Sequence, residues 1–281
     1  MATTFIGGGN MATALIGGML ARGAVPTDFR IVEPSADARA RLAAQFAGAA
    51  LFGECTQDAI GGAALVVLAV KPQQMRDAAR ALAPHLAGGA APAGSSPVVL
   101  SIAAGIRLPD LGRWLNGHER LVRAMPNTPA LIGKGISGAF AAPSVDAGGR
   151  ALVSSVLAAA GEQIWVDNEA MLDAVTAVSG SGPAYVFYFL EALEAAARDL
   201  GFAPVEARRL AYATFGGSIA LAQASDAEPA TLRAQVTSKG GTTERAIASL
   251  EGAAIKAGIV AAVKAAAHRA AEMGDAFGVD A

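Results

Sequence analysis

A glycine-rich turn near the start of the chain constrains its fold more than any other feature. Residues 3–6 have the pattern of a short strand and run directly into Gly7-Gly8-Gly9-Asn10-Met11-Ala12, where a helical pattern begins. This is the dinucleotide-binding fingerprint G-x-G-x-x-A: Gly7 permits a tight turn, Gly9 lets a pyrophosphate approach the backbone, and Ala12 is small enough for helix–strand packing. Because a second predicted strand follows at 29–33, we expect an N-terminal nucleotide-binding α/β domain.

Strands and helices alternate through the first half of the chain. The strand candidates are residues 3–7, 29–33, 64–70, 97–102, 120–125 and 135–141, with 163–166 as a late strand at the sheet edge. The helix candidates are residues 10–22, 36–47, 73–86, 108–116 and 144–160. This alternation predicts a parallel, doubly wound sheet with right-handed crossovers. We interpret residues 87–97, which are rich in Ala, Gly, Ser and Pro, as a surface loop.

Beyond residue 166 the pattern becomes helical. The candidates are residues 168–178, 182–200, 204–224, 229–236, 242–251 and 255–277. These stretches are Ala-rich and apolar on every side, and a helix without a polar face needs a partner all round. The expected fold class is therefore α/β plus all-α, with a Rossmann-like domain at 1–166 and an all-helical substrate-binding and dimerisation domain at 167–281. We expect an obligate dimer through the helical domain.

Composition excludes several classes of protein. The chain has 281 residues and a net charge of −2, and without a basic run it is not expected to bind nucleic acid. Its longest apolar run, 63–70, is too short to span a membrane. No signal-peptide pattern precedes the first strand, and the single cysteine, Cys55, has no internal disulfide partner. We expect a cytoplasmic protein.

A loop late in the chain is suited to holding a small anion. Residues 236–241 contain two glycines, which let the backbone pass close to a ligand. Thr242 and Thr243 then open a predicted helix, where N–H groups and the helix dipole favour a carboxylate. The alternative is an ordinary Ser/Thr-capped helix start with a glycine hinge.

The whole string in this region resembles the signature of pyrroline-5-carboxylate reductases, which make proline by reducing a cyclic imine with NAD(P)H. It reads V-T-S-K-G-G-T-T, followed by A-I-x-x-L-E at 246–251. Three more segments are similar to that family: Lys71-Pro72, Met125 to Pro129, and Ser179 to Tyr185. Lys239 is a departure, because many relatives carry Pro at that position.

The resemblance implies a set of site residues. The cofactor would contact Ile6, Gly7, Gly9, Asn10, Met11, Ser35, Thr56, Ala69, Val70, Lys71, Pro72, Ala103, Ala104, Gly105 and Asn127. The substrate would contact Ser238, Gly240, Gly241, Thr242 and Thr243. Thr243 is the catalytic candidate, since its hydroxyl would hydrogen-bond the ring nitrogen. The resemblance also implies that the pocket is completed across a homodimer, and it leaves open a larger ring of dimers.

Cofactor preference depends on the end of the second strand. Glu33 lies about where an acidic residue binds the ribose 2′-OH of NAD. Ser35, Arg39 and Arg41 follow, and they suit the 2′-phosphate of NADP. We expect NADPH to be preferred mildly, with NADH also accepted.

Several sequence features bear on chemistries other than imine reduction. The three histidines, His85, His118 and His268, are scattered, and no metal-binding pattern is present, so we expect no metal. A β-hydroxyacid or 6-phosphogluconate-type dehydrogenase would need a lysine near residues 180–187, where there is none.

A non-catalytic NAD(P) sensor would not need the 236–243 loop. A reductase of a six-membered cyclic imine remains open, because one methylene changes specificity by only about 1–3 kcal/mol. Reducing a protonated imine needs proximity and orientation more than an acid–base pair.

Overall fold

The computed structural model describes residues 2–86 and 96–278. Most of the predicted 87–97 loop therefore lies outside the described residues. Contacts divide the chain into two compact units: Met1–Ser181 with Ala266–Ala281, and Gly182–Ala265.

The first unit is built on one eight-stranded sheet. Its strands are β1 (Thr3–Ile6), β2 (Phe29–Val32), β3 (Ala50–Phe52), β4 (Leu65–Leu68), β5 (Val98–Ser101), β6 (Leu121–Met125), β7 (Gly135–Ala141) and β8 (Gly161–Trp165). They are ordered β3-β2-β1-β4-β5-β6-β7-β8. The helices of this unit are α1 (Asn10–Ala21), α2 (Ala36–Gln45), α3 (Gln57–Ile60), α4 (Met75–Leu86), α5 (Leu108–Trp114), α6 (Ala147–Ala158) and α7 (Met171–Val175). The predicted doubly wound fold is confirmed.

The central strands are buried on both faces. Successive strand side chains point to opposite faces, and accordingly Phe5 belongs to one apolar cluster and Ile6 to the other. The first cluster includes α1 and α6, and the second includes α4 and α5. Such strands carry continuous apolar runs, which is why β4 and β5 were recognisable in the sequence.

The sequence predicts a parallel sheet, but one pair of neighbouring strands is antiparallel. β7 runs antiparallel to β6, and β8 runs parallel to β7. A parallel crossover needs about a dozen residues, whereas residues 126–134 joining β6 to β7 hold only a short 3₁₀ turn, Thr128–Ile132. The sequence analysis also missed β3 and α3, which are too short to show a period. The late strand β8 does lie at the sheet edge, as expected.

The boundary between the units differs from the predicted division at residue 166. Residues 167–181 belong to the first unit because Glu169 and Asp173 pair with Arg123 of β6. The last part of the chain returns to the same unit, where Asp275 pairs with Arg107.

The second unit is helical throughout. It contains α8 (Gly182–Asp199), α9 (Pro204–Gln223), α10 (Pro229–Gln235), α11 (Thr242–Gly252) and the start of α12 (Ile255–Gly278). Of residues 182–265, all of which the structure describes, only Ala207 and Ala211 are buried. Large apolar side chains are exposed, among them Val186, Phe187, Tyr188, Leu193, Leu210, Tyr212, Ile219, Leu221, Leu250, Ile255, Ile259 and Val260.

A helix crosses a bilayer only when it is long and apolar enough. Within residues 2–86 and 96–278 no single helix is long and apolar enough to cross a bilayer, and α11 with α12 meets the criterion only as a pair bent by 50°.

Candidate functional site

The glycine-rich turn has the geometry that its sequence predicts. Gly7 follows β1 with φ +97°, and a Cβ there would lie 2.8 Å from the Ala69 carbonyl oxygen, so only glycine fits. Gly9 is the N-cap of α1 without a side-chain cap, and a Cβ on it would meet nothing within 4 Å. Ala12 is fully buried against the sheet. The first turn of α1, which begins with Asn10 and the half-buried Met11, is thus open to an anion.

A carboxylate from the next strand holds this turn. The Gly8 N–H donates to Glu33 Oε2 at 3.0 Å, and the Ser35 N–H donates to Glu33 Oε1 at 3.0 Å. Both oxygens of the predicted ribose ligand are therefore engaged by backbone groups. The Gly7 N–H also donates to the Val32 carbonyl at 2.8 Å. The end of β2 and the glycine-rich turn form one hydrogen-bonded structure.

Two predicted cofactor residues after β2 and β3 are helix caps. The Ser35 hydroxyl accepts from Ala38 N–H at 3.3 Å, and the Thr56 hydroxyl accepts from Ala59 N–H at 3.2 Å. Arg39 Nη1 donates to the carbonyls of Glu33 at 2.7 Å and Pro34 at 2.8 Å. Ser35 itself is exposed. Cys55, next to Thr56 in the chain, is half-buried, and burial together with Glu54 raises the pKa of its thiol.

The ends of β4 and β5 are lined by small residues. Ala69 N–H donates to the carbonyl of Ile6, a buried core residue, at 2.8 Å. Val70, the exposed Lys71 and Pro72 lead into a 3₁₀ turn, Pro72–Gln74. After β5, Ala103 and Ala104 precede Gly105, whose φ is +73°. These segments follow neighbouring strands on one side of β1.

Asn127, after β6, is engaged inside the protein. Its Oδ1 accepts from Ile136 N–H at 3.0 Å, and its Nδ2 donates to the Ser179 carbonyl at 3.2 Å. Ser179 lies in a π-helical turn, Thr176–Gly180, that continues from α7. This turn was missed in the sequence analysis, which predicted one helix over 168–178. The Asn127 side chain is therefore a brace between β7 and the turn.

These segments follow the carboxyl ends of β1 to β6. Ligands of doubly wound sheets bind at the crevice where the strand order reverses. In this sheet the order reverses between β1 and β4. The residues after β1, β2, β4 and β5 are thereby brought to one edge of the first unit.

The 236–243 loop belongs to the second unit. Gly240 has φ +74°, and the Gly241 N–H donates to the Ser238 carbonyl at 3.0 Å. α11 begins at Thr242, its N-cap is Gly241, and no side chain caps it. The alternative of a Ser/Thr-capped helix start is therefore wrong. The Glu244 carboxylate accepts from Gly240 N–H at 2.7 Å and fixes the approach to the helix. Ser238 and Thr242 are exposed, and Thr243 is half-buried.

The histidines lie elsewhere. His85 lies in the last turn of α4, His268 pairs with Glu272 on α12, and His118 Nε2 lies 3.0 Å from the Pro97 carbonyl oxygen. Over residues 2–86 and 96–278 no group of His, Cys, Asp or Glu side chains is arranged to hold a metal.

Comparison with known proteins agrees with this architecture. A family model described as pyrroline-5-carboxylate reductase dimerisation matches residues 169–273, and one described as NADP oxidoreductase, coenzyme F420-dependent, matches residues 3–105. The chain is 42% identical to a pyrroline-5-carboxylate reductase of Pseudomonas aeruginosa, over 98% of this chain and 97% of that protein. It is 35% identical to the Pisum sativum enzyme of the same name, over 96% and 94%.

Solved structures of the same kind are similar along the whole chain. A Coxiella burnetii pyrroline-5-carboxylate reductase aligns with a TM-score of 0.88 and 36% identity, covering 96% of this chain and 97% of that one. A Plasmodium falciparum pyrroline carboxylate reductase with NADP bound aligns with a TM-score of 0.83 and 26% identity, covering 98% of each.

Fold, site and matches together define an NAD(P)-dependent oxidoreductase with a Rossmann-like domain and a helical dimerisation domain. Identity above 40% along nearly the full length narrows the class further. The chain belongs to the pyrroline-5-carboxylate reductase family.

Proposed function

We propose that this protein reduces 1-pyrroline-5-carboxylate to L-proline with NAD(P)H, the last step of proline biosynthesis. The uncapped start of α11 supports this most directly. A glycine N-cap with no side-chain hydrogen bond leaves the first amides of the helix to a ligand carboxylate. The glycine-rich turn of the same chain supplies the place for a dinucleotide.

The chemistry is one hydride transfer. Bound NAD(P)H would supply the hydride that reduces the imine carbon, and the C=N electron pair would move to the ring nitrogen. That nitrogen carries a proton acquired from water before binding, so no protein acid is consumed. The protein contributes orientation and a dry site, while the cofactor supplies the redox chemistry.

The substrate side of this proposal uses the 236–243 loop. The Ser238 hydroxyl and the Thr242 N–H and hydroxyl hold the carboxylate, and the Thr243 hydroxyl hydrogen-bonds the ring nitrogen. Gly240 and Gly241 let the backbone approach the carboxylate, while their own N–H groups donate to Glu244 and to the Ser238 carbonyl. The half-buried position of Thr243 beside the exposed Thr242 supports the division of roles.

The cofactor side uses the edge of the sheet. Gly7, Gly9, Asn10 and Met11, after Ile6, receive the pyrophosphate at the start of α1. Thr56 lies toward the adenine. The small residues of two turns receive the nicotinamide and its ribose: Ala69, Val70, Lys71, Pro72, Ala103, Ala104 and Gly105. Asn127 supports this site by hydrogen-bonding β7 and the π-helical turn that contains Ser179.

NADPH is proposed as the preferred cofactor, with NADH also accepted. Glu33 already accepts two backbone hydrogen bonds, which makes it a poorer ligand for a ribose hydroxyl. The exposed Ser35, at the start of α2, suits a 2′-phosphate because phosphates bind well at helix N-termini.

The exposed apolar faces of α8, α9, α11 and α12 support a homodimer through the helical unit. A ring of such dimers is proposed as the larger assembly. The proposed location is the cytoplasm. Sedimentation of a stable, active monomer would contradict the dimer.

The test is the loss of reduced-nicotinamide absorbance with racemic pyrroline-5-carboxylate, with NADH and piperideine-2-carboxylate in parallel. Turnover to proline supports the proposal. Turnover of piperideine-2-carboxylate alone would mean that the natural substrate is a six-membered cyclic imine. Cofactor binding without turnover of either imine would favour a non-catalytic sensor.

Thr243→Ala then tests the mechanism. We expect kcat to fall roughly tenfold to a thousandfold, on the scale of one positioned hydrogen bond. Thr243→Ser is the matched control, since it keeps the hydroxyl and should retain most of the activity. An unchanged kcat in the alanine variant would remove Thr243 from the mechanism.

A further inference from the structure

The turn after β5 is backed by the end of the last helix. Gly105 comes so close to α12 that a Cβ on it would lie 3.0 Å and 3.3 Å from two ring carbons of Phe277. The same Cβ would lie 3.4 Å from Met273 Cβ. Phe277 packs against the apolar cluster that includes α4 and α5. All of these residues belong to the first unit.

A polar anchor lies beside this contact. The Arg107 guanidinium pairs with Asp275 at 2.8 Å, and its Nη2 donates to the Ala271 carbonyl at 3.3 Å. Gly274 allows the approach, because a Cβ there would lie 2.8 Å from Arg107 Nε. One turn further along, Arg113 Nη2 donates to the Gly278 carbonyl at 2.9 Å. The helix end is thus bound on both sides of Phe277.

The turn itself is largely buried but presents only small side chains. Ala103, Ala104 and Gly105 carry no side chain larger than a methyl group, so they offer few dispersion contacts of their own. Gly105 also adopts a φ of +73°, which glycine takes without strain but which other residues rarely adopt, so the turn cannot gain a larger side chain there. The conformation of the turn therefore depends on the surface behind it.

We propose that Phe277, assisted by Asp275, is a positioning residue for the nicotinamide half of the cofactor. It touches neither cofactor nor substrate, and acts by fixing the turn Ala103–Gly105 against which the nicotinamide lies. This rests on the proposed function, which places the nicotinamide at that turn. The adenosine end depends on other contacts, those of Glu33 and the caps of α2 and α3.

Two probes separate the ends of the cofactor: NADPH, and 2′,5′-ADP, which lacks the nicotinamide. For Phe277→Ala we expect the Kd of NADPH to rise roughly tenfold and kcat to fall by a similar factor, since small misplacements near the reacting atoms cost up to about a hundredfold. The Kd of 2′,5′-ADP should stay within about twofold, which is below 1 kcal/mol. Phe277→Leu keeps bulk behind Gly105 and should recover most of the loss.

Asp275→Asn gives a milder variant that does not threaten folding, because Asp275 is largely exposed. We expect the Kd of NADPH to rise roughly twofold to fivefold, the scale of an exposed ion pair, with 2′,5′-ADP unchanged. Glu272→Gln is its matched control, one turn away on α12 and paired only along that helix, with Arg269 and His268. It should bind both ligands as the parent does.

The inference is overturned if Phe277→Ala and Asp275→Asn weaken both ligands equally, or if they match Glu272→Gln. Failure of the proposed function would look different, because the unaltered protein would then not turn over pyrroline-5-carboxylate.

Discussion

The backbone N–H of Gly8 donates to Glu33 Oε2 over 3.0 Å, although 25 positions separate the two residues in the chain. Glu33 accepts from Ser35 N–H through its other oxygen, also at 3.0 Å. An acidic side chain at this place in a dinucleotide fold is expected to bind the ribose 2′-OH of NAD. Here both of its carboxylate oxygens accept backbone hydrogen bonds, one of them from the glycine-rich turn.

Glu33→Gln should therefore weaken both cofactors. The amide keeps one acceptor oxygen for one of the two N–H groups, so we expect KM to rise roughly tenfold, or about 1.4 kcal/mol, for NADPH and NADH alike. Steady-state kinetics with each cofactor gives the answer. A loss confined to NADH would instead mean that Glu33 binds the ribose.

Ser35→Asp is the matched variant in the same segment. Aspartate caps a helix as well as serine does, so α2 should persist, but its charge would repel a 2′-phosphate. We expect KM to rise at least about tenfold for NADPH, from one close like-charge contact, and to stay unchanged for NADH.

Asn127→Ala should destabilise the protein before any cofactor binds. It leaves the Ile136 N–H and the Ser179 carbonyl without their partner, and buried unpaired groups of this kind cost about 1–3 kcal/mol. Urea unfolding without cofactor, at fixed protein concentration, measures the loss. Unaltered unfolding combined with weaker NADPH binding would show that Asn127 contacts the cofactor directly.

Arg123 is the charge whose removal should cost most. Its side chain is 3% exposed and pairs with Glu169 at 3.2 Å and Asp173 at 3.5 Å. Arg123→Met leaves both carboxylates near each other without a cation, and breaking a buried pair in this way costs about 3–5 kcal/mol. Adding Glu169→Gln and Asp173→Asn should restore much of the stability.

Arg269→Met is the control for Arg123. Its pair with Glu272 is exposed on α12, and the free energy of unfolding should change by less than about 1 kcal/mol. Equal losses in both variants would show that burial does not decide the cost.

His118 should make stability depend on pH. Burial, with help from Arg120, holds the pKa of His118 below the ordinary 6.5. The unfolded chain therefore binds this proton more readily, so the contribution of His118 is present above pH 6.5 and is lost as the pH falls through its lower folded pKa. His118→Gln keeps an N–H for the Pro97 carbonyl and should flatten the decline in unfolding free energy. An unchanged slope would assign the decline to other groups.

Sequence patterns were sufficient to predict the elements that depend on residues close together in the chain. The glycine-rich turn, α1 and the long helices α8 and α9 were predicted within two residues, because a fingerprint or a sustained period marks them. The antiparallel direction of β7 was not predicted. It depends on the short connection at residues 126–134, which the alternation of strands and helices does not reveal. Residues 266–278 also belong to the first unit, where Asp275 forms an ion pair with Arg107. No hydrophobic period or sequence motif predicts this ion pair.

The site divides in the same way. The tight turn at Gly7 and the helix start at Thr242 follow from sequence, because backbone geometry dictates the residue type. The contacts of Glu33 with Gly8 and of Asn127 with Ser179 do not, because these partners lie 25 and 52 positions away. Those contacts decide whether a polar side chain faces a ligand or the protein, and only the folded chain contains that information.

The scarcity of buried residues in the helical unit has a consequence for how the protein is made. Two buried alanines in residues 182–265 cannot offset the conformational entropy of ordering that segment. In the proposed homodimer, the folding of this segment is completed when two chains associate, so the rate of the final step depends on protein concentration. At low protein concentration, newly made chains would remain monomeric for longer. Their apolar helices would stay exposed to solvent and therefore to aggregation and proteolysis. Regain of activity after denaturation should accordingly be second order in protein concentration.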